Sequence, residues 1–259
     1  MRHAPQEFDN DPIRGQGTSL KQWQISRALQ RIPTIPKESL LPLVRRLVIV
    51  APHPDDEILM CGGLLASLAD SNIDLVMISV TDGEGSHPGS SLWPPDRLRA
   101  LRPQESYEAL ARLGINGQTV DWFRLGLTDS LVPRSEQHLA QQLCELLHAG
   151  DQVITTWRHD GHCDHEAVGR ACANATRICH AHLREAPVWT WHWANPEDRR
   201  VPWSRARKIA LSPKNLTSKR KAIQVHKSQL VADPSTGAAP ILSSAALDRL
   251  MQPFELFFV

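Results

Sequence analysis

From Arg46 onward, short β-branched runs alternate with helix-length segments, and few folds can accommodate such a chain. Leu47–Ala51 (LVIVA) has no polar position, which is the pattern of a strand buried on both faces. Residues 73–80 (IDLVMISV), 119–124 (TVDWFR) and 152–157 (QVITTW) read as further strands. Between them, 57–69, 95–113, 134–148 and 164–184 read as helices, with Gly114 and Gly150 just past two of the ends. Residues 188–193 and 208–211 are expected as late strands, 213–229 as a last long helix, and 243–251 as a short C-terminal helix. The apolar tail PFELFFV is expected to pack on the body. Strands alternating with helices predict an α/β fold: one Rossmann-like domain with a mostly parallel sheet and helices on both faces. Residues 1–45 are expected as an N-terminal arm, loose to about residue 18, then one short helix over 19–31 that ends before Pro33. Residues 46–259 form the domain, with the C-terminal helix as an extension.

The bulk properties exclude several classes. A chain of 259 residues buries enough surface to fold without disulfides. Twenty-nine basic against 28 acidic residues leave a net charge of +1, which gives no sign of nucleic-acid binding. The longest apolar stretch, 59–69, is too short to span a bilayer, and the first twelve residues lack the apolar core of a secretory signal. Five cysteines with no CxxC pair suggest a reducing, cytoplasmic setting. Ten Lys or Arg and no acid lie between 199 and 232. The preferred reading is a solvated face; the sharper one is a basic rim for an anionic substrate.

Chemistry concentrates in two segments. The first strand runs into Pro52-His53-Pro54-Asp55-Asp56-Glu57 and then a helix, so this cluster sits at the carboxyl edge of the sheet, where open α/β sheets bind ligands. Adjacent carboxylates repel, and a divalent cation removes that cost. His53 and Asp56 can point at one ion, leaving Asp55 free for other work. Helix capping by an aspartate would explain one carboxylate but not the set. The fourth strand leads into Arg158-His159-Asp160-Gly161-His162-Cys163-Asp164-His165 at the same edge. Hydrolytic zinc sites use three protein ligands and keep a position for water. His53, Asp56 and one of His162 and His165 would supply such a set, and His159 is not recruited.

The PHPDDE motif at 52–57, Gly62-Gly63 and the H-x-D-H at 162–165 resemble the zinc-dependent de-N-acetylases of the LmbE-like/PIG-L family. Thr81-Asp82-Gly83-Glu84, Arg102-x-x-Glu105, Lys219-x-x-Ala222, His226 and Ser228-Gln229 extend the likeness to roughly 46–229. The resemblance implies one Zn2+ per chain, or another divalent metal, on His53, Asp56 and His165. It implies Asp55 as general base, His162 as oxyanion stabiliser or proton donor to the amine, and Asp164 as the group that orients a histidine. Arg102 and Asp82 would bind substrate. The family has Pro where this chain has Cys163, read as a tolerated small residue. The implied partner is a small N-acetylated amino-sugar conjugate, and a homo-oligomer is compatible with the sequence. Two alternatives stay open at this point: a metal-dependent phosphoesterase, which would hold two ions, and a non-catalytic sugar-binding protein. Substrate choice is expected in 86–95, in 194–204 and in the N-terminal arm, with Trp93 and Trp203 as contact candidates.

Overall fold

The computed structural model describes residues 13 and 15–259; the first twelve residues and residue 14, and with them most of the stretch expected to be loose, lie outside the described residues. The chain opens with three short helices, α1 (Leu20–Gln24), α2 (Arg27–Arg31) and α3 (Lys37–Leu40). The single helix expected over 19–31 is two, because Ser26 leaves the helical conformation and caps the second through its hydroxyl on the Leu29 amide. There follow β1 (Arg46–Ala51), α4 (Asp56–Leu68), β2 (Asp74–Thr81), α5 (Pro95–Arg112), β3 (Asp121–Leu127), α6 (Glu136–Leu146), β4 (Gln152–Thr156), α7 (Cys163–Cys179) and β5 (His182–Ala186). The chain ends with α8 (Thr190–Trp193), β6 (Ala206–Ala210), α9 (Pro213–Ile223), α10 (Lys227–Leu230), α11 (Ser244–Leu250) and β7 (Phe254–Phe258).

The seven strands lie in the order β3-β2-β1-β4-β5-β7-β6. The first five are parallel, and β7 inserts antiparallel between β5 and β6. This is the mostly parallel, helix-covered sheet that the alternation predicts. Alternate residues of the central strands feed two cores: Leu47, Ile49, Met77 and Ile154 on one face, Val48, Val50, Val76, Ile78 and Val153 on the other.

Three late elements differ from expectation. The helix expected to run to 184 stops at Cys179, where His180 adopts a left-handed conformation (φ 55°), and 182–186 become β5. The alternating WTWHW at 189–193 is a turn of helix, α8, rather than a strand. The helix expected over 213–229 is two, α9 and α10. The apolar tail does pack on the body, as β7.

The strand order turns at β1. Connections from β1 step to β2 and β3 on one side, while β4 and β5 lie on the other. At such a switch point the loops leaving neighbouring strands diverge and open a crevice. The loops after β1 and β4, which carry the two candidate segments, therefore flank one cleft. No helix among the described residues is long and apolar enough to cross a membrane.

Candidate active site

A cavity of about 350 Å³ opens at this crevice. His53, Asp55, Asp56, Arg102, Asp129, His162 and His165 line it, with Leu59, Trp189, Ile241 and Leu242 forming an apolar side.

Asp56 opens α4 and is buried. Its Oδ2 lies 3.2 Å from His53 Nδ1 and 3.2 Å from His165 Nε2. Two donors on a tetrahedral zinc ion with bonds near 2.0 Å stand about 3.3 Å apart, so both separations suit ligands of one shared ion. The opposite ring nitrogens face buried carboxylates. His165 Nδ1 is 2.8 Å from Asp160, and His53 Nε2 is 3.1 Å from Asp164 and 3.3 Å from Asp129. A histidine whose one ring N–H is held by a carboxylate aims its other nitrogen at the cavity, where a cation can replace that nitrogen's proton, the arrangement common to metal-ligating imidazoles. The donor set thus fits a divalent cation. The donor atoms of His53, His162 and His165 all lie within 4.8 Å of one another, as do those of His53, Asp129 and Asp164. The second group shares His53 Nε2 with the hydrogen bond just described, so we read it as the outer support of His53.

The surrounding charges match this reading. Burial opposes a charge on His53, yet Asp129, Asp164 and Asp56 outweigh it and raise its pKa well above the ordinary value. Burial likewise opposes a charge on His165, but Asp56 and Asp160 lift it to about 9. Burial alone would raise Asp56; the two imidazoles instead hold its carboxyl far below the usual range. The cleft floor therefore favours positive charge between these side chains.

Asp55 sits beside them in a conformation rare for any residue but glycine, φ 135° and ψ −28°. Its amide donates to Glu57 Oε2 at 3.0 Å, and Arg102 Nη2 binds both the Pro54 carbonyl (2.7 Å) and Asp55 Oδ2 (3.1 Å). Burial raises the Asp55 carboxyl to about 7 despite the opposing pull of Arg102. His162 caps α7: its Nδ1 accepts the Asp164 amide at 3.2 Å, so the neutral ring carries its proton on Nε2. Burial, then the charges of His165 and His53, lower its pKa to about 3.

All three expected ligands, together with Asp55 and His162, meet in the cleft. Asp164, expected to orient a histidine, faces His53 Nε2 at 3.1 Å, 111 residues away in sequence. Arg102 is placed otherwise than expected of a substrate-gripping group. Both terminal nitrogens already bind protein oxygens, the second pair being Nη1 and the Gly83 carbonyl at 2.8 Å. Gly83 (φ 68°) is glycine because a Cβ there would lie 2.0 Å from that Nη1. Asp82 is not on the cavity wall; its Oδ1 is held by Arg124 at 2.8 and 3.0 Å. No residue of the basic 199–227 segment lines the cavity; most of its basic side chains are exposed, Arg207 and Lys208 are half-buried and Lys219 is buried. Of the expected selectivity segments, the first contributes Ser86 and the arm contributes Ile13, while Trp93 and Trp203 pack elsewhere.

Two site residues had no part in the sequence reading. Asp160 is wholly buried and accepts the Val188, Trp189 and Thr190 amides, each at 2.9 Å, besides facing His165. It lies within the second segment, five residues before His165, which was its available signal. Asp129 follows β3, and only the position of β3 in the sheet brings it near His53.

Residues 48–176 match the family model described as PIG-L, GlcNAc-PI de-N-acetylase. This stretch is a PIG-L family domain. This metal-dependent family accounts for the donor set. The chain is similar to a "probable N-acetyl-alpha-D-glucosaminyl L-malate deacetylase 2" of Bacillus anthracis, 29% identical over 51% of this chain and 59% of that one. It is also similar to a 1D-myo-inositol 2-acetamido-2-deoxy-alpha-D-glucopyranoside deacetylase of Mycobacteroides abscessus, 34% identical over 35% and 37%. The chain thus spans less than two thirds of the length of these curated PIG-L relatives. Among solved structures, the zinc-inhibited form of teicoplanin deacetylase shares the fold (TM-score 0.60, 18% identity, 82% of this chain and 97% of that one). So does N,N'-diacetylchitobiose deacetylase from Pyrococcus horikoshii (TM-score 0.55, 19% identity, 72% and 71%).

Proposed function

We propose that this PIG-L protein is a zinc-dependent N-deacetylase that removes the acetyl group from a small amino-sugar conjugate. One observation carries the reading: a single oxygen of Asp56 is approached by imidazoles from two loops far apart in the chain, each imidazole backed by its own carboxylate. His53, Asp56 and His165 would hold the ion. Bound there, the ion supplies Lewis-acid chemistry, polarising an amide carbonyl and acidifying water toward a pKa of ~7.

The chain's own groups do the rest. Asp55 Oδ accepts the proton of the attacking water, in the role of general base. Arg102 fixes that carboxylate, so little reorganisation accompanies the transfer. His162, with its proton on Nε2, donates a hydrogen bond to the oxygen that becomes negative as the carbonyl carbon turns tetrahedral. Its neutral state favours this role over proton donation. The C–N bond then breaks, and the proton taken up by Asp55 passes to the departing nitrogen, leaving a free amine and acetic acid, which keeps the second water proton until it ionises to acetate. An amide needs both halves of this exchange, because its nitrogen is a poor leaving group until protonated.

The relatives named above support the substrate class, since their names describe deacetylation of N-acetylglucosamine conjugates. The five free cysteines support the cytoplasmic setting. The test is acetate release from a panel of N-acetylglucosamine conjugates by the zinc-loaded protein, with metal counted per chain. Acetate release with one ion bound is expected. Two ions per chain with hydrolysis of a phosphoester instead of an amide would replace the proposal with the phosphoesterase alternative.

A further inference from the structure

We infer that Lys219 and Glu255, neither of which lines the cavity, are positioning residues for Asp55 and Asp56. The inference rests on the function proposed above. Asp56 begins α4, and α4 is broken at Cys61 (φ −146°, ψ 21°). A break orphans carbonyls before it and amides after it, and buried orphans need partners. Lys219, from α9, donates Nζ to the Leu59 carbonyl at 3.0 Å. Glu255, from β7, accepts the Gly63 amide at 2.7 Å and the Leu64 amide at 2.8 Å. The two side chains then pair with each other at 2.7 Å, 1% and 2% exposed. One residue thus finishes the first half of α4, the other starts the second half, and their charges lock the two together.

The glycine pair belongs to the same device. A Cβ on Gly62 would stand 3.3 Å from Lys219 Cγ, and one on Gly63 would stand 2.5 Å from Leu211 Cδ1. With no Cβ at either position, Leu211 and Lys219 pack directly against the break. Three features of the sequence motif, Gly62, Gly63 and Lys219, therefore have one physical cause, and Glu255 completes it from the C-terminal tail.

The break leaves residues 56–60 as a helical stub of little more than one turn. One end of the stub follows the strained Asp55, and the other is tied at Leu59. A stub that short has little stiffness of its own, so the Leu59 anchor sets where the Asp55 and Asp56 carboxylates stand. A fully buried ion pair is seldom needed for stability alone, because apolar side chains of similar volume serve as well. Fixing a geometry is the use that remains.

The test uses the full-length protein in two forms. The double variant K219M/E255Q removes both charges together, so no lone charge is buried, while it withdraws the donor from Leu59. E255D keeps both charges but draws the carboxylate back from the Gly63 and Leu64 amides. Three quantities are read: Zn2+ release to a chromophoric chelator, kcat, and KM for the best substrate. For folded variants the expected result is zinc release roughly tenfold faster or more and kcat reduced by a similar factor, with KM within about twofold of the parent. E255D should show the same changes in smaller measure and keep the inference testable if the double variant does not fold. Parental zinc release and kcat in whichever variant folds would overturn the inference and leave the pair a purely structural bridge. A raised KM at constant kcat would overturn it as well. If the parent protein binds zinc but releases no acetate from any conjugate, the functional reading fails while the zinc-release arm still decides this one.

Discussion

The chemistry of the cleft depends on single residues held against their own preferences. A non-glycine residue at φ 135° costs about 1–3 kcal/mol of strain, and Asp55 stays there because Glu57 accepts its amide and Arg102 grips both its carboxylate and the carbonyl before it. On the function proposed, Asp55→Ala removes the proton acceptor without removing a ligand. We expect kcat to fall by roughly 10²–10⁴ with the metal content unchanged, measured by acetate release and elemental analysis of the same sample. On the same proposal His162→Ala removes one hydrogen-bond donor to the oxyanion, and kcat should fall about 10²–10³-fold at near-constant metal content. Asp160→Asn behaves differently. The amide still meets some of the backbone donors, but it no longer fixes the proton on His165 Nδ1. Metal affinity should fall roughly 10–100-fold, read by competition with a chelator, and kcat at saturating metal should change far less.

At the scale of elements, α9 and α10 meet at His226. Both of its ring nitrogens are buried without a hydrogen-bond partner among the described residues, and burial lowers its pKa from 6.5 to about 3. Above pH 6.5 the imidazole is neutral whether the chain is folded or not. As the pH falls toward 3, the unfolded chain takes up a proton that the native state refuses, so stability falls with it. His226→Leu removes this linkage. Urea midpoints of the variant should decline less between pH 7 and pH 4 than those of the parent, and parallel declines would refute the assignment. How well each element could be read from the sequence follows the same logic of local against distant causes. The strands β1, β2 and β4 and the motif loops after β1 and β4 were legible because β-branched runs and ligand spacing are local signals. The stop of α7 was not, because His180 takes the left-handed turn where a glycine would have announced it. β5 was hidden by its sequence HLREA, whose polar positions reflect a half-covered strand. The Trp alternation of 189–193 imitates a strand, but the segment turns because Asp160 collects three consecutive amides from 188–190. Asp129 stayed invisible, and Lys219 was legible only as a motif residue and not as the partner of Glu255, for one reason: each acquires its role only when the sheet order and the tail strand are known.

In the whole molecule, the cleft lies where the sheet divides. His53 and Asp56 belong to the loop and helix that follow β1, and His165 belongs to the helix that follows β4. On the function proposed, an ion held by all three would tie these two connections together across the switch point. Its ligands are assembled only in the folded chain, so metal binding adds to folding stability by mass action. At a free metal concentration of about 100 Kd the gain is ~2.7 kcal/mol. For a chain of this length each kcal/mol raises Tm by about 2–4 °C, so zinc should raise Tm by roughly 5–11 °C above that of protein stripped with a chelator. The shift should grow with the logarithm of free zinc. In Asp56→Ala it should largely vanish, because both imidazoles lose the oxygen they share. In Asp55→Ala it should persist in full, because that residue is assigned to proton transfer. A thermal melt series across zinc concentrations on the three proteins separates ligand from base without any substrate. Equal shifts in all three would place the ion elsewhere in the molecule.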